Sequence, residues 1–201
     1  MKGDFSIWRH DQRSNDQGVL HQQGRVTLDA DLTAGELIDL AWRIRTARDV
    51  VGEGVAAVPA SDPDGFRVVG AEAVGDGVRL EVHPGRAWVD GVHVHLPPGE
   101  AGATAPVERD ATWLPDPLGG GGDASSISEG VRDAVVLEVW LEELNAFQDP
   151  DRLLEPALGG PDTTERIAAH SAFRLVRLGE GEACCDLRER LRDGPEGKGR
   201  L

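Results

Sequence analysis

The chain predicts an α+β fold: a mainly antiparallel β-sheet, one long N-terminal helix and long Gly/Pro-rich loops. Three observations carry this. Apolar residues recur at helical spacing over residues 34–51, alternation with a period of two dominates residues 66–96, and 26 glycines and 12 prolines punctuate the 201 residues.

The elements follow in order. Residues 1–32 are polar and rich in Gln, Asp and Gly, with neither a signal-peptide pattern nor low complexity. They read as an extended arm. Thr33-Ala34-Gly35-Glu36 has the form of a capping box, in which Thr33 accepts from the Glu36 amide and the Glu36 carboxylate reaches back. The helix that follows places Leu37, Leu40, Ala41, Ile44, Ala47, Val50 and Val51 on one stripe, and Gly52 and Gly54 stop it. Asp62-Pro63-Asp64-Gly65 reads as a turn before a strand at 66–69. Residues 71–82 read as one hairpin and 86–96 as another. In the second, Asp90-Gly91 suits a type I′ turn, whose two central residues both take positive φ. Residues 97–130, with four consecutive glycines at 119–122, read as a long loop. Strands are expected at 134–141 and 172–178, and short helices near 151–157 and 186–192. The reading is thus an arm at 1–32, a single α+β domain at 33–193 and a flexible tail at 194–201.

Composition excludes several classes. The net charge of -15 sets the chain against nucleic acid and anionic membranes. No stretch reaches the ~20 apolar residues that span a bilayer, and no apolar run follows Met1. The cysteines, Cys184 and Cys185, are adjacent, so no disulfide framework exists and a cytoplasmic setting is expected. Lys occurs only at 2 and 198 while Arg is common, which reads as a coding bias.

Catalytic patterns are missing from the sequence. His93 and His95 lie two apart on a strand and face the same side, with His83 in the same hairpin region. Zinc needs three or four ligands in a tetrahedral set; the pair reads as a polar strand face. Asp62 and Asp64 resemble the start of a calcium loop, but position 73 is Ala where the twelfth-position Glu belongs. No Lys-Ser/Thr follows the glycine run, and no Gly-x-Ser-x-Gly or His-Glu-x-x-His occurs. The expectation is a non-enzymatic protein with no cofactor and no metal.

The strings Met1-Lys2-Gly3-Asp4-Phe5-Ser6, Val19 to Asp31 and Pro156 to Arg166 resemble an uncharacterised bacterial domain. That family is found in gene clusters for phage-tail-like contractile injection systems and as the N-terminal module of some β-helix proteins. Gly85 to Gly91 and Val136 to Trp140 fit its middle part, so the resemblance covers most of the chain. Leu32-Thr33-Ala34-Gly35-Glu36 stands where the family carries a Trp-Asn-Glu-like string.

The resemblance implies a structural part of a particle, at the baseplate or the tail-end cap. Its partners would be tube, sheath, baseplate or cap subunits and further copies of itself in a ring. It would be assembled in the cytoplasm, in a particle then released or held at a membrane, without nucleic acid or membrane insertion. Residues 1–32 and 106–130 would lie on a neighbouring subunit and add main-chain hydrogen bonds. Phe5, Trp8, Leu20, Gln22, Gln23, Arg25 and Trp113 are the interface candidates, while Trp88 and Trp140 are expected in the core. The alternative is a carbohydrate-binding or carbohydrate-acting module, suggested by the β-helix association.

Overall fold

The structure, a computed structural model, describes residues 11, 13–75, 77–114, 130–184 and 186–187. The fold is α+β and mainly sheet, as the sequence predicts. The chain forms two compact units: residues 1–50 with 141–168, and residues 51–140 with 169–201.

The first unit is built on α1 (Asp29–Val51). The helix starts five residues before the expected position. Asp31 and Leu32 donate their amides to the Leu28 carbonyl at 3.1 and 3.2 Å, so Leu28 stands at the N-terminus and Thr33 lies inside the helix. Asp29 and Asp31 occupy the first turn, where their charge favours the helix dipole. The buried positions are Ala30, Ala34 and Ile38, a row of i, i+4 spacing. Of the expected stripe, Leu37, Leu40, Ala41, Ile44 and Ala47 are half-buried beside that row, while Val50 is exposed. The stop is as expected: Gly52 takes φ +117° and Gly54 φ +64°. Farther along the chain, this unit holds the short α2 (Pro150–Leu153) and a 3-10 turn at Pro156–Leu158, with Leu144 and Leu153 buried.

The second unit holds two sheets. One has the order β1-β4-β5, from Ala56–Ala57, Gly85–Val89 and Val92–Leu96. The other has the order β2-β3-β6-β8-β7, from Val68–Val74, Gly77–Val82, Val107–Trp113, Arg166–Arg177 and Asp133–Leu144. The unit boundary falls within β7 and within β8. β2, β3 and β6 pair antiparallel in sequence, and β6 pairs parallel with β8. The Leu178 amide bonds to the Arg132 carbonyl and Trp140 stacks on His170, so β7 and β8 run in opposite directions. The expected strand at 66–69 and the first arm of the hairpin at 71–74 are one strand, with a register shift between Val68 and Gly70.

The largest correction is β6. It lies inside the segment read as a loop, and it is a core strand: Val107 and Ala111 are buried and Trp113 packs beside them. Residues 107–113 therefore belong to this chain's own sheet and are not a donor strand for a neighbour; residues 115–129 lie outside the described ones.

Alternation places the core. Val78, Leu80 and Val82 of β3, Val107 and Ala111 of β6, and Phe173 and Leu175 of β8 face Leu96 of the smaller sheet. Ala87, Val89 and Val94 pack on Val139 and Leu137 of β7. The opposite face of β7 and β8 is covered in part by Leu187 against Ala134, Val136 and Val176. Trp88 is not a core residue. It is half-buried on the outer face of the small sheet, tilted over His93 at 5.1 Å. Trp140, also expected inside, is 38% exposed.

Two half-buried ion pairs tie β7 to β8: Glu138 with Arg174 at 3.0 Å and Asp133 with Arg177 at 2.6 Å. Asp133 also accepts the Trp113 indole N–H at 3.3 Å, which links β6 to the pair. Asp90-Gly91 forms the expected turn, at φ +47° and +81°, and Asp90 Oδ1 accepts the Gly54 amide at 3.0 Å.

At the passage from β3 to β4 the chain crosses between sheets through His83-Pro84 alone, under the turn at 62–65. A Cβ on Gly85 would stand 2.6 Å from Gly65 Cα and 2.7 Å from Asp62 Oδ2. Backbone on one side leaves no cheap relief. Gly85→Ala is expected to destabilise the protein by about 1–3 kcal/mol, measured by urea denaturation. Gly75→Ala, at a hairpin turn with open space around it, separates the clash from the loss of glycine freedom and is expected to cost less.

Candidate interaction surface

The arm bonds to itself before it reaches α1. Asp11 pairs with Arg13 at 2.9 Å, and the Ser14 hydroxyl, with one hydrogen to give, lies between the Asp11 carbonyl and the Asp16 carboxylate at 2.7 and 2.8 Å. Residues 15–19 then run beside α1. A Cβ added to Gly35 would sit 3.9 Å from Val19 Cγ2, so Gly35 lets the arm lie close to the helix. Between them is an open groove of about 440 Å³, with Asp16 and Gly18 on one wall and Ile38, Asp39, Trp42 and Arg45 on the other. Trp42 is 58% exposed.

Past Val19 the arm leaves the helix and reverses. The Arg25 amide donates to the Gln22 carbonyl at 3.3 Å and Gly24 takes φ +71°, a turn that favours glycine at its third position. Leu20 and Val26 flank it at 95% and 85% exposure, and Leu28 and Leu32 continue the exposed apolar run into α1. An apolar side chain so fully in water contributes nothing to this chain's core; it gains only when something covers it.

Of the seven interface candidates, Leu20, Gln22, Gln23 and Arg25 come together on this turn, all exposed. Phe5 and Trp8 lie outside the described residues. Trp113 is apart from them: it is half-buried on the core and bonded to Asp133. Val26, Leu28, Leu32 and Trp42 were not singled out by sequence. Their signal is an apolar residue on the polar side of the helical period or just before it.

His93 and His95 are both exposed on β5, on its outer face. His83 faces elsewhere, with Nε2 at 3.2 Å from Arg67 Nη2. Among the described residues no group of three or more His, Cys, Asp or Glu is placed to hold a metal. Asp62 and Asp64 stand in a turn in which the Gly65 amide bonds to the Asp62 carbonyl. Cys184 is exposed, and Cys185 lies outside the described residues. No described helix is long and apolar enough to cross a membrane.

The chain belongs to a family of unknown function, DUF6519, whose model matches residues 1–193. No curated protein and no solved structure matches it.

Partial loss of water around the ring, beside Trp88, holds the His93 pKa below its ordinary value of 6.5, and the nearby Arg86 and His95 push the same way. A histidine depressed in the folded state is protonated first in the unfolded one. Its neutral form therefore favours folding above the unfolded pKa, and stability falls as pH drops through the folded value. Between about pH 7.5 and about pH 5.5, wild type is expected to lose more stability than His93→Asn, measured by thermal melts of both proteins at each pH.

Proposed function

We propose that the protein is a structural, non-enzymatic subunit of a phage-tail-like contractile injection particle, at its baseplate or tail-end cap. It joins a neighbouring subunit through the arm. The observation that carries this is the turn at 22–25 with Leu20 and Val26 almost wholly in water beside it, on an arm held to α1 by Val19. Such side chains make good anchors, because covering each one gains about 1.5–3 kcal/mol, and a root bonded to itself lowers the entropy lost on docking. The resemblance of residues 1–6, 19–31 and 156–166 to a domain of contractile-particle gene clusters supplies the identity of the partners: tube, sheath, baseplate or cap subunits.

The acidity of the chain fits this setting, since subunits of one sign avoid unspecific association until specific contacts form. A second reading, sugar binding, draws on Trp140, which stacks on His170 at 5.8 Å and 22° with 38% of its surface exposed.

The test is co-purification of the full chain with the particle's tube, sheath and baseplate proteins, beside the double variant Leu20→Asp with Val26→Asp. Both side chains are so exposed that the variant is expected to keep the wild-type melting temperature. The full chain is expected to bind one of the particle proteins, and the variant to bind it at least about 100-fold more weakly. Binding to none of them, or equal binding by the variant, overturns the reading. Glycan binding that disappears in Trp140→Ala would put the second reading in its place.

A further inference from the structure

Neither the core nor the arm makes use of His93 and His95. They stand on β5, the end strand of the small sheet, and both rings are exposed on its outer face. Neither ring makes a hydrogen bond or an ion pair among the described residues. The neighbour of His93 is the Trp88 indole, directly across the ladder and tilted against the ring at 5.1 Å. The whole strand lies within the second unit.

Two imidazoles at positions i and i+2 of a strand are based about 7 Å apart on the same face. From there both can lean onto one ion, each nitrogen at about 2.0–2.1 Å. Imidazole suits zinc, while magnesium and calcium take oxygen ligands. The pair fills only half of a tetrahedral set, and among the described residues no third His, Cys, Asp or Glu stands where it would complete one. A second copy, turned by a two-fold axis through the ion, supplies the same two imidazoles and closes the set with four nitrogens. Charge favours this occupant. Each chain carries a net charge of -15, so two copies repel, and a divalent cation between them lowers that repulsion. Arg86, directly across from His95, is the opposing element, since its guanidinium repels an ion at this place.

We propose that His93 and His95 bind zinc and that two copies of the chain share one ion, with four imidazoles around it, so that their small sheets are joined through their outer faces. The Trp88 indole against His93 restricts that ring before the ion arrives, which reduces the entropy lost when it is fixed. The joint is separate from the arm and does not rest on the particle reading. It holds or fails on the purified protein alone.

Sedimentation velocity of the full chain, first with EDTA and then with zinc chloride added in steps, tests it. The mass is expected to double and to level off at one zinc for every two chains. EDTA is expected to reverse the change, and magnesium chloride not to produce it. His93→Gln and His95→Gln, at exposed positions, are each expected to stay monomeric in zinc with an unchanged far-ultraviolet spectrum. His21→Gln and His83→Gln are expected to dimerise as wild type does. Arg86→Ser removes the repulsion and is expected to dimerise at a zinc concentration about threefold lower. A mass that zinc leaves unchanged overturns the proposal. So does zinc bound at one per chain without association, or a zinc dimer that survives in either His93→Gln or His95→Gln.

Discussion

The structure of the second unit depends on the burial of one face of β3. Leu80 and Val82 are 1% and 0% exposed, the most enclosed large side chains among the described residues. Full burial of each contributes about 1.5–3 kcal/mol. They can be enclosed only if a strand lies on each side and a second sheet lies on top. β2 and β6 supply the sides, and Leu96 of β5 supplies part of the cover. β5 can reach that place only because the chain turns from β3 into β4 within two residues. That turn in turn needs a glycine at 85 beneath the Asp62–Gly65 turn. The sheet, the crossing and the small sheet are one constraint seen at three points.

Polar groups finish what the apolar core starts. At the edge of the sheet Asp133 accepts from Arg177 and from the Trp113 indole, and Glu138 accepts from Arg174. These carboxylates are less than one-fifth exposed, so each needs a partner to offset lost hydration. The pairs fix which residues of β7 and β8 stand opposite each other, and a slip of one residue would separate all of them. They contribute specificity of register more than net stability.

Much of this was legible in sequence, and the misses have physical causes. Asp90-Gly91 was readable because a type I′ turn admits few residue pairs. The helix was readable from its period, but its start was not. Thr33 and Glu36 fit a capping box as well as they fit an interior turn, and only the burial of Ala30 decides between the two. β6 was missed because Glu108-Arg109-Asp110 interrupts its alternation. Those residues sit on a partly exposed strand, where Arg79 offers both acids a partner at 3.7 and 3.1 Å. Trp88 and Trp140 were placed in the core on hydrophobicity, yet each lies on an outer face beside a histidine. Leu20 stood out in sequence while Val26 did not, though their exposure is nearly equal. The division into two units was not legible, because contacts between distant segments define it.

The edge position of β7 was likewise beyond the sequence. Read alone, Ala134 to Leu141 looks like a buried central strand, since it is apolar at every position but Glu138. The structure explains the composition differently. Leu137 and Val139 face the small sheet, Ala134 and Val136 face Leu187, and so both faces of an edge strand are covered in part. A strand covered on two faces must be apolar on both, and it then loses the alternation that marks an edge. Asp133 and Glu138 are the charges it still carries inward, and each is held by an arginine of β8.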